Sequence, residues 1–280
     1  MTNPQTVAAE LTNQNAIDTG NSKFWDQLCG TTLANMLGIT DDTPESLQKF
    51  DQWYCDMYPY LPDHIPYQSM NGKDVLEIGL GYGTVAQKLA ETGCRYNGLD
   101  IAQGPVDMVN HRIHQNKLIG KAVQGSVLEA PFKNESFDYI VTIGCLHHTG
   151  NLEKAISECH RMLRTGGSLI IMLYNAYSYR RWIQAPQSTF KHFMKETFGG
   201  RGVVKALTPE ERASYDADPE GNAAPHTDWV STRSFAHLCK DFSIFKAKRE
   251  KPFMRYSREQ LLKTPIPKLC GLDIYAVAKK

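Results

Sequence analysis

From Ser22 onward, apolar positions recur at helical spacing. Phe24, Leu28, Thr32 and Met36 form one stripe, Trp25, Cys29 and Leu37 widen it, and Gly38 is placed to end the helix. A second helix is predicted to start at the cap Thr43, with Pro44 in its first position. Its stripe is Leu47, Phe50, Tyr54 and Met57, and it stops before Pro59. The aromatics Trp53, Tyr54, Tyr58 and Tyr60 read as packing residues of this region. Residues 1–21, rich in Asn, Gln and Thr, read as a flexible or loosely docked tail, and residues 22–70 as a helical cap.

From residue 73 to about residue 175 the rhythm changes. Short apolar runs alternate with helical segments, which predicts an α/β domain around a mostly parallel sheet, spanning residues 71–280. Strands are expected at 74–78, 96–100, 121–124, 139–143 and 168–173. A helix starting near Asn151 carries Leu152, Ile156, Cys159 and Leu163 on its face. Past Asn175 the pattern loosens, and residues 176–230 read as a lid or substrate insertion. The stretch from Tyr177 to Phe198 mixes aromatic and basic residues, a composition suited to a membrane surface. It shows no clean helical stripe, and Pro186 interrupts it. A helix capped by Ser231 and strands at 242–249 and 272–278 close the chain.

Composition narrows the function classes. Hydrophobic residues are 41% of the 280 and charged residues 22%, as expected of a globular domain with a sizeable core. No run approaches the roughly 18 apolar residues of a membrane span. The polar N-terminus lacks the pattern of a signal peptide. Seven cysteines without a CxxC pair suggest neither a disulfide framework nor a metal site, so the expected setting is cytoplasmic. Lys/Arg against Asp/Glu count 2 and 9 in residues 1–70, 10 and 10 in 71–176, and 19 and 11 in 177–280. Such asymmetry suits an anionic partner, or two parts of the chain lying against each other.

The chemistry centres on Val75-Leu76-Glu77-Ile78-Gly79-Leu80-Gly81-Tyr82-Gly83-Thr84, an apolar strand running into a glycine turn and a helix. Alternating glycines let the backbone turn tightly and approach a ligand, and the helix start offers free N–H groups. A dinucleotide fold requires G-x-G-x-x-G, whereas here Thr84 stands at the third glycine's place. The pattern E-x-G-x-G-x-G resembles motif one of the class I S-adenosylmethionine-dependent methyltransferases. Asp100 follows Glu77 by 23 residues, at the end of the second strand, where the family places its ribose-binding acid. Gly125-Ser126-Val127-Leu128-Glu129-Ala130-Pro131-Phe132 resembles the adenine-binding block, with Ser126 in place of the usual Asp. Two further blocks resemble the family: 136–148, ending in Gly144-Cys145-Leu146-His147-His148, and 163–169, with Thr165-Gly166-Gly167.

The resemblance covers roughly residues 72–175 and comes closest to the ubiquinone and menaquinone branch. It implies a Rossmann-like sheet whose seventh strand is antiparallel. It also implies S-adenosylmethionine bound by Glu77, Gly79, Gly81, Gly83, Thr84, Asp100, Ile101, Ser126, Val127 and Gly144. Such a cofactor carries an already electrophilic methyl, so a base is needed only where the acceptor must lose a proton. His147 and His148 are the candidate bases, just past the fourth strand. Tyr174 and Asn175 at the fifth strand's end, with His226, Asp228 and Trp229, are the candidate acceptor-binding residues. The expected reaction is methyl transfer to an O or N atom of a small molecule. The alternative is an RNA or protein methyltransferase docking through the basic C-terminal third. Near-neutral net charge speaks against nucleic acid.

Overall fold

The computed structural model describes residues 4–27, 32–206, 208–251 and 263–280. In chain order the first helices are α1 (Pro4–Gln27), the short α2 (Leu33–Met36), α3 (Pro44–Met57) and α4 (Leu61–His64). The strands β1 (Asp74–Ile78), β2 (Arg95–Asp100), β3 (Gly120–Gln124), β4 (Phe137–Ile143) and β5 (Leu163–Tyr174) follow, all paired in parallel. Between them run α5 (Thr84–Glu91), α6 (Gln103–Gln115) and α7 (Leu152–Met162). Then come α8 (Tyr179–Gln184), α9 (Pro186–Thr197), β6 (Val204–Lys205), α10 (Pro209–Ala213), β7 (Asp228–Trp229) and α11 (Thr232–Leu238). The last strands are β8 (Ile244–Glu250) and β9 (Asp273–Lys279).

Seven strands make one sheet in the order β3-β2-β1-β4-β5-β9-β8, with β9 antiparallel to both neighbours. The central strands are covered on both faces, so Val75–Ile78 are all buried and the run is continuously apolar rather than alternating, apart from Glu77. One face is closed by α7 and α11 through Ala155, Ile156, Cys159 and Phe235. The other is closed by α5 and α6 through Val85, Ala86, Leu89, Val106, Val109 and Ile113. The apolar period of each helix faces the sheet, which leaves the strand C-terminal ends as the open edge.

Two expectations need correction. Over the described residues 4–21, the expected flexible or loosely docked tail is part of α1, whose later turns dock at the C-terminal edge of the sheet. Gln14 Nε2 donates to the Thr149 carbonyl (2.7 Å), Asn21 Nδ2 to the His148 carbonyl (2.7 Å), and Asp26 Oδ1 accepts from the Gly104 amide (2.6 Å). Side-chain polar pairing holds the turns before Ser22, where no hydrophobic period announced them, while Phe24 and Trp25 add apolar packing beyond. The fifth strand also starts earlier than residue 168, at Leu163, with a register irregularity opposite Phe137 and Tyr139 that absorbs the glycine turn.

Candidate active site

At the end of β1 the chain turns through Gly79, Gly81 and Gly83, all at positive φ (81°, 52° and 83°). Two of these glycines have different neighbours. A Cβ on Gly79 would lie 2.4 Å from Cys145 Cβ, so the turn needs glycine to pack against the end of β4. A Cβ on Gly81 would meet nothing within 4 Å among the described residues, so this backbone faces an open cradle. That open space beside bare peptide is where a ligand can come close.

Asp100 ends β2 and is fastened to the same turn. Its Oδ2 accepts from the Leu80 amide (2.7 Å) and its Oδ1 from the Ala102 amide (2.9 Å). Burial pushes its pKa up to about 6, with the backbone donors pulling the other way. The carboxylate is thus pre-oriented at the rim, with lone pairs left for a vicinal diol. Ser126 caps the turn Val127–Glu129, its Oγ accepting from the Leu128 amide (3.3 Å).

Glu77 lies beneath the turn, where its Oε2 accepts from the Tyr96 hydroxyl (2.6 Å). Burial pushes its pKa from 4.5 to about 8. A carboxyl with a raised folded-state pKa binds its proton more tightly when folded. Its stabilising contribution is therefore complete below pH 4.5 and is lost as pH rises through 8. Urea midpoints taken between these limits should fall with pH in the native protein. The Glu77→Gln variant should show a flatter profile, the difference reaching at most about 1.4 kcal/mol per pH unit. Parallel profiles would show that Glu77 carries no such proton.

A cleft at the strand ends is walled by Gly79, Gly81, Asp100, Ile101, Ser126, Val127, Gly144 and His148. A further wall comes from α1, through Asp18, Asn21 and Trp25. Sequence reasoning missed Asp18 and Asn21, although their spacing continues the helical face of Trp25 toward the N-terminus. A second cavity shares Trp25, Gly79, Gly81, Ile143 and Gly144 with the first. Aromatic rings dominate its walls, including Trp53 and Tyr54 of α3, Tyr58 just past its end, and Tyr174 at the end of β5. Glu77, Thr84, Asp216 and Lys251 supply its polar groups. Three rings expected to be packing residues therefore face a cavity.

The remaining sequence candidates divide. His148 Nδ1 lies 2.7 Å from the His226 carbonyl, which only accepts, so Nδ1 bears the proton. Its Nε2 points toward Asp216 Oδ2 at 3.6 Å. Tyr174 donates its hydroxyl to the same carboxylate (3.0 Å). Burial keeps the His148 pKa below the usual imidazole value, although Asp216 acts in the opposite sense. His147 lines neither cavity: it is fully buried, its ring lies 4.0 Å from that of Tyr174, and desolvation holds its pKa well down. Asn175 is also withdrawn, donating to the Gly271 carbonyl (2.7 Å) and accepting from the Tyr177 amide (3.0 Å). Asp228 pairs with His226 (3.0 Å), and buried Trp229 lies under the Arg181 guanidinium (4.5 Å to the ring centre). These three hold the insertion together and do not line the cavities. Asp216, which no motif marked, takes the place expected of them.

Strand order, glycine turn and strand-end acid make a Rossmann-like α/β sheet with an open cleft at its strand ends. A family model described as "Methyltransferase domain" matches residues 76–171. Phosphoethanolamine N-methyltransferase 2 of Caenorhabditis elegans is 31% identical over 107 residues, covering 37% of this chain and 24% of that protein. Demethylmenaquinone methyltransferase of Tropheryma whipplei (strain Twist) is 29% identical over 115 residues, covering 41% and 46%. The chain thus spans less than half the length of these curated relatives. A solved S-adenosylmethionine-dependent methyltransferase of Thermotoga maritima, titled a possible histamine N-methyltransferase, superposes with TM-score 0.52 at 15% identity. The superposition covers 84% of this chain and 96% of that one. Residues 76–171 thus match a methyltransferase domain, and the sheet has the fold of solved S-adenosylmethionine-dependent methyltransferases.

Proposed function

We propose that the chain transfers a methyl group to an O or N atom of a small molecule. The observation that supports this reading is the meeting of two cavities at the glycine turn: a nucleoside-sized cleft ending in Asp100, and an aromatic chamber beyond Gly81 and Gly144. The open cradle at Gly81 and the poised Asp100 fit S-adenosylmethionine, with Ser126 and Val127 on the adenine side. When bound, the cofactor supplies a methyl made electrophilic by its sulfonium. The chain's own residues then position the acceptor, and proximity can contribute roughly 7–11 kcal/mol. Rings from α1, α3 and β5 wall the chamber, and His148, which borders the adjoining cleft with its Nε2 toward Asp216, is the residue we assign to take the acceptor's proton. Asp216 is a positioning residue that stabilises the charged imidazole. A chamber walled by rings suits a small acceptor better than RNA or protein docked on the basic C-terminal third.

Titration calorimetry with S-adenosylmethionine is expected to show one site. Labelled methyl should then pass to a member of a panel of phenols and amines. Absence of cofactor binding by the purified chain overturns the proposal.

A further inference from the structure

In α9 the usual helical amphipathicity is inverted. Its buried residues are polar: Thr189, His192 and Glu196. Thr189 donates its hydroxyl to the Ala185 carbonyl (2.7 Å), and Glu196 accepts from Tyr177 (2.7 Å) and from the hydroxyls of Ser231 and Ser234. These bonds satisfy the inward face without apolar burial. The apolar residues point outward instead. Phe190 is 55% exposed and Phe193 45%, three positions apart on one face, and Phe198 just past the helix is 81% exposed. On the neighbouring α8, Trp182 is 39% and Ile183 72% exposed. Among the described residues, large exposed hydrophobics concentrate in this stretch to a degree that scattered surface residues do not explain.

Pro186 interrupts the stretch, as the sequence implied: α8 ends at Gln184 and a separate helix begins at Pro186. In the first turn of α9 its missing N–H costs nothing, so within α9 itself the outward stripe is continuous. Lys191 and Lys195 are exposed on the same helix. Glu196 is the one acidic residue between positions 177 and 206, and it is buried. The outer surface of this stretch is therefore aromatic and basic, with no carboxylate.

We infer that this face docks the protein on an anionic phospholipid surface. Trp182, Phe190, Phe193 and Phe198 enter the boundary between headgroups and acyl chains, and Lys191 and Lys195 lie against lipid phosphates. Charge favours lipid over a second copy of the chain. Two-fold pairing of this patch would set its lysines near one another with no acid on the patch to neutralise them. The docking is peripheral: among the described residues no helix is long and apolar enough to cross a membrane.

The full chain should co-sediment with phosphatidylcholine vesicles containing phosphatidylglycerol. Binding to phosphatidylcholine alone, or in high salt, should be about tenfold weaker or less. The double variant Phe190→Ser/Phe193→Ser should lose the interaction. Lys191→Glu/Lys195→Glu should lose it on anionic vesicles, and both should keep the native circular dichroism spectrum because the altered side chains are exposed. Failure of the native chain to bind anionic vesicles overturns the inference, as does equal binding by both variants. So does a dimer that the phenylalanine variant dissociates in sedimentation velocity while vesicles capture nothing.

Discussion

Replacing His148 by glutamine is expected to lower methyl transfer by about 10²–10⁴-fold, the range a positioned proton acceptor contributes. Cofactor affinity should stay within a few-fold, because the ring forms only one wall of the cleft. The expectation rests on where the ring's protons are. With Nδ1 donating to the His226 carbonyl, Nε2 carries the lone pair, and burial keeps the ring neutral. Once Nε2 takes a proton, Asp216 Oδ2 at 3.6 Å stabilises the cation, and the Tyr174 hydroxyl holds that carboxylate in place. Asp216→Asn should therefore act through the histidine. Asp216 raises the His148 pKa, so its loss should move the acidic limb of the pH–rate profile to lower pH while lowering the plateau. A His148→Gln enzyme within threefold of the native rate would remove His148 from the reaction. An unmoved acidic limb in Asp216→Asn would remove the coupling.

Asp51→Ala should destabilise the fold by about 3–5 kcal/mol, the cost of leaving a buried charge without its partner. Arg112 on α6 is fully buried, and its NH1 and NH2 donate to the two oxygens of Asp51 at 3.0 Å each. The same carboxylate accepts the Thr84 hydroxyl at 2.6 Å. One residue of α3 thereby ties the helical cap to the first residue of α5 and to α6. Alanine leaves Arg112 with the Gln87 amide oxygen (2.9 Å) and the face of Tyr82 (5.7 Å to the ring centre). Displacing Arg112 would also disturb the turn, since a Cβ on Gly83 would lie 2.7 Å from its Cδ. Urea unfolding measures the loss, and Asp51→Asn should restore part of it by keeping the Thr84 bond. A loss below about 1 kcal/mol for alanine would show that the guanidinium finds other partners.

Thr84 illustrates how legible the site was. In the sequence it stood out because it was not a glycine, which separated one cofactor class from another. In the structure its hydroxyl anchors the cap. Gly79, Gly81, Asp100, Ile101, Ser126, Val127 and Gly144 were all legible and all line the cleft. Their roles depend on short-range geometry, because a glycine turn after a strand and an acid at a strand end act within a few residues of chain. The acceptor side was harder to read. Tyr174 was found from its place at the end of β5, but Asn175, one residue on, turns inward to the Gly271 carbonyl. Alternation across a strand end sends successive side chains in opposite directions, and only the packing says which faces the cavity.

The sequence alone determined the parallel α/β domain, the glycine turn and its acid, and the class of cofactor. The first two follow from local periodicity, from the φ values a turn demands and from spacing along one strand and helix; the cofactor class follows from the resemblance of those motifs to a known family. Tertiary structure alone decided which groups complete the site. The wall from α1, the Asp51–Arg112 tie and Asp216 beside His148 join residues far apart in the chain. Polar pairing fixes most of these contacts, and a hydrogen bond across 61 or 135 residues leaves no period in the sequence.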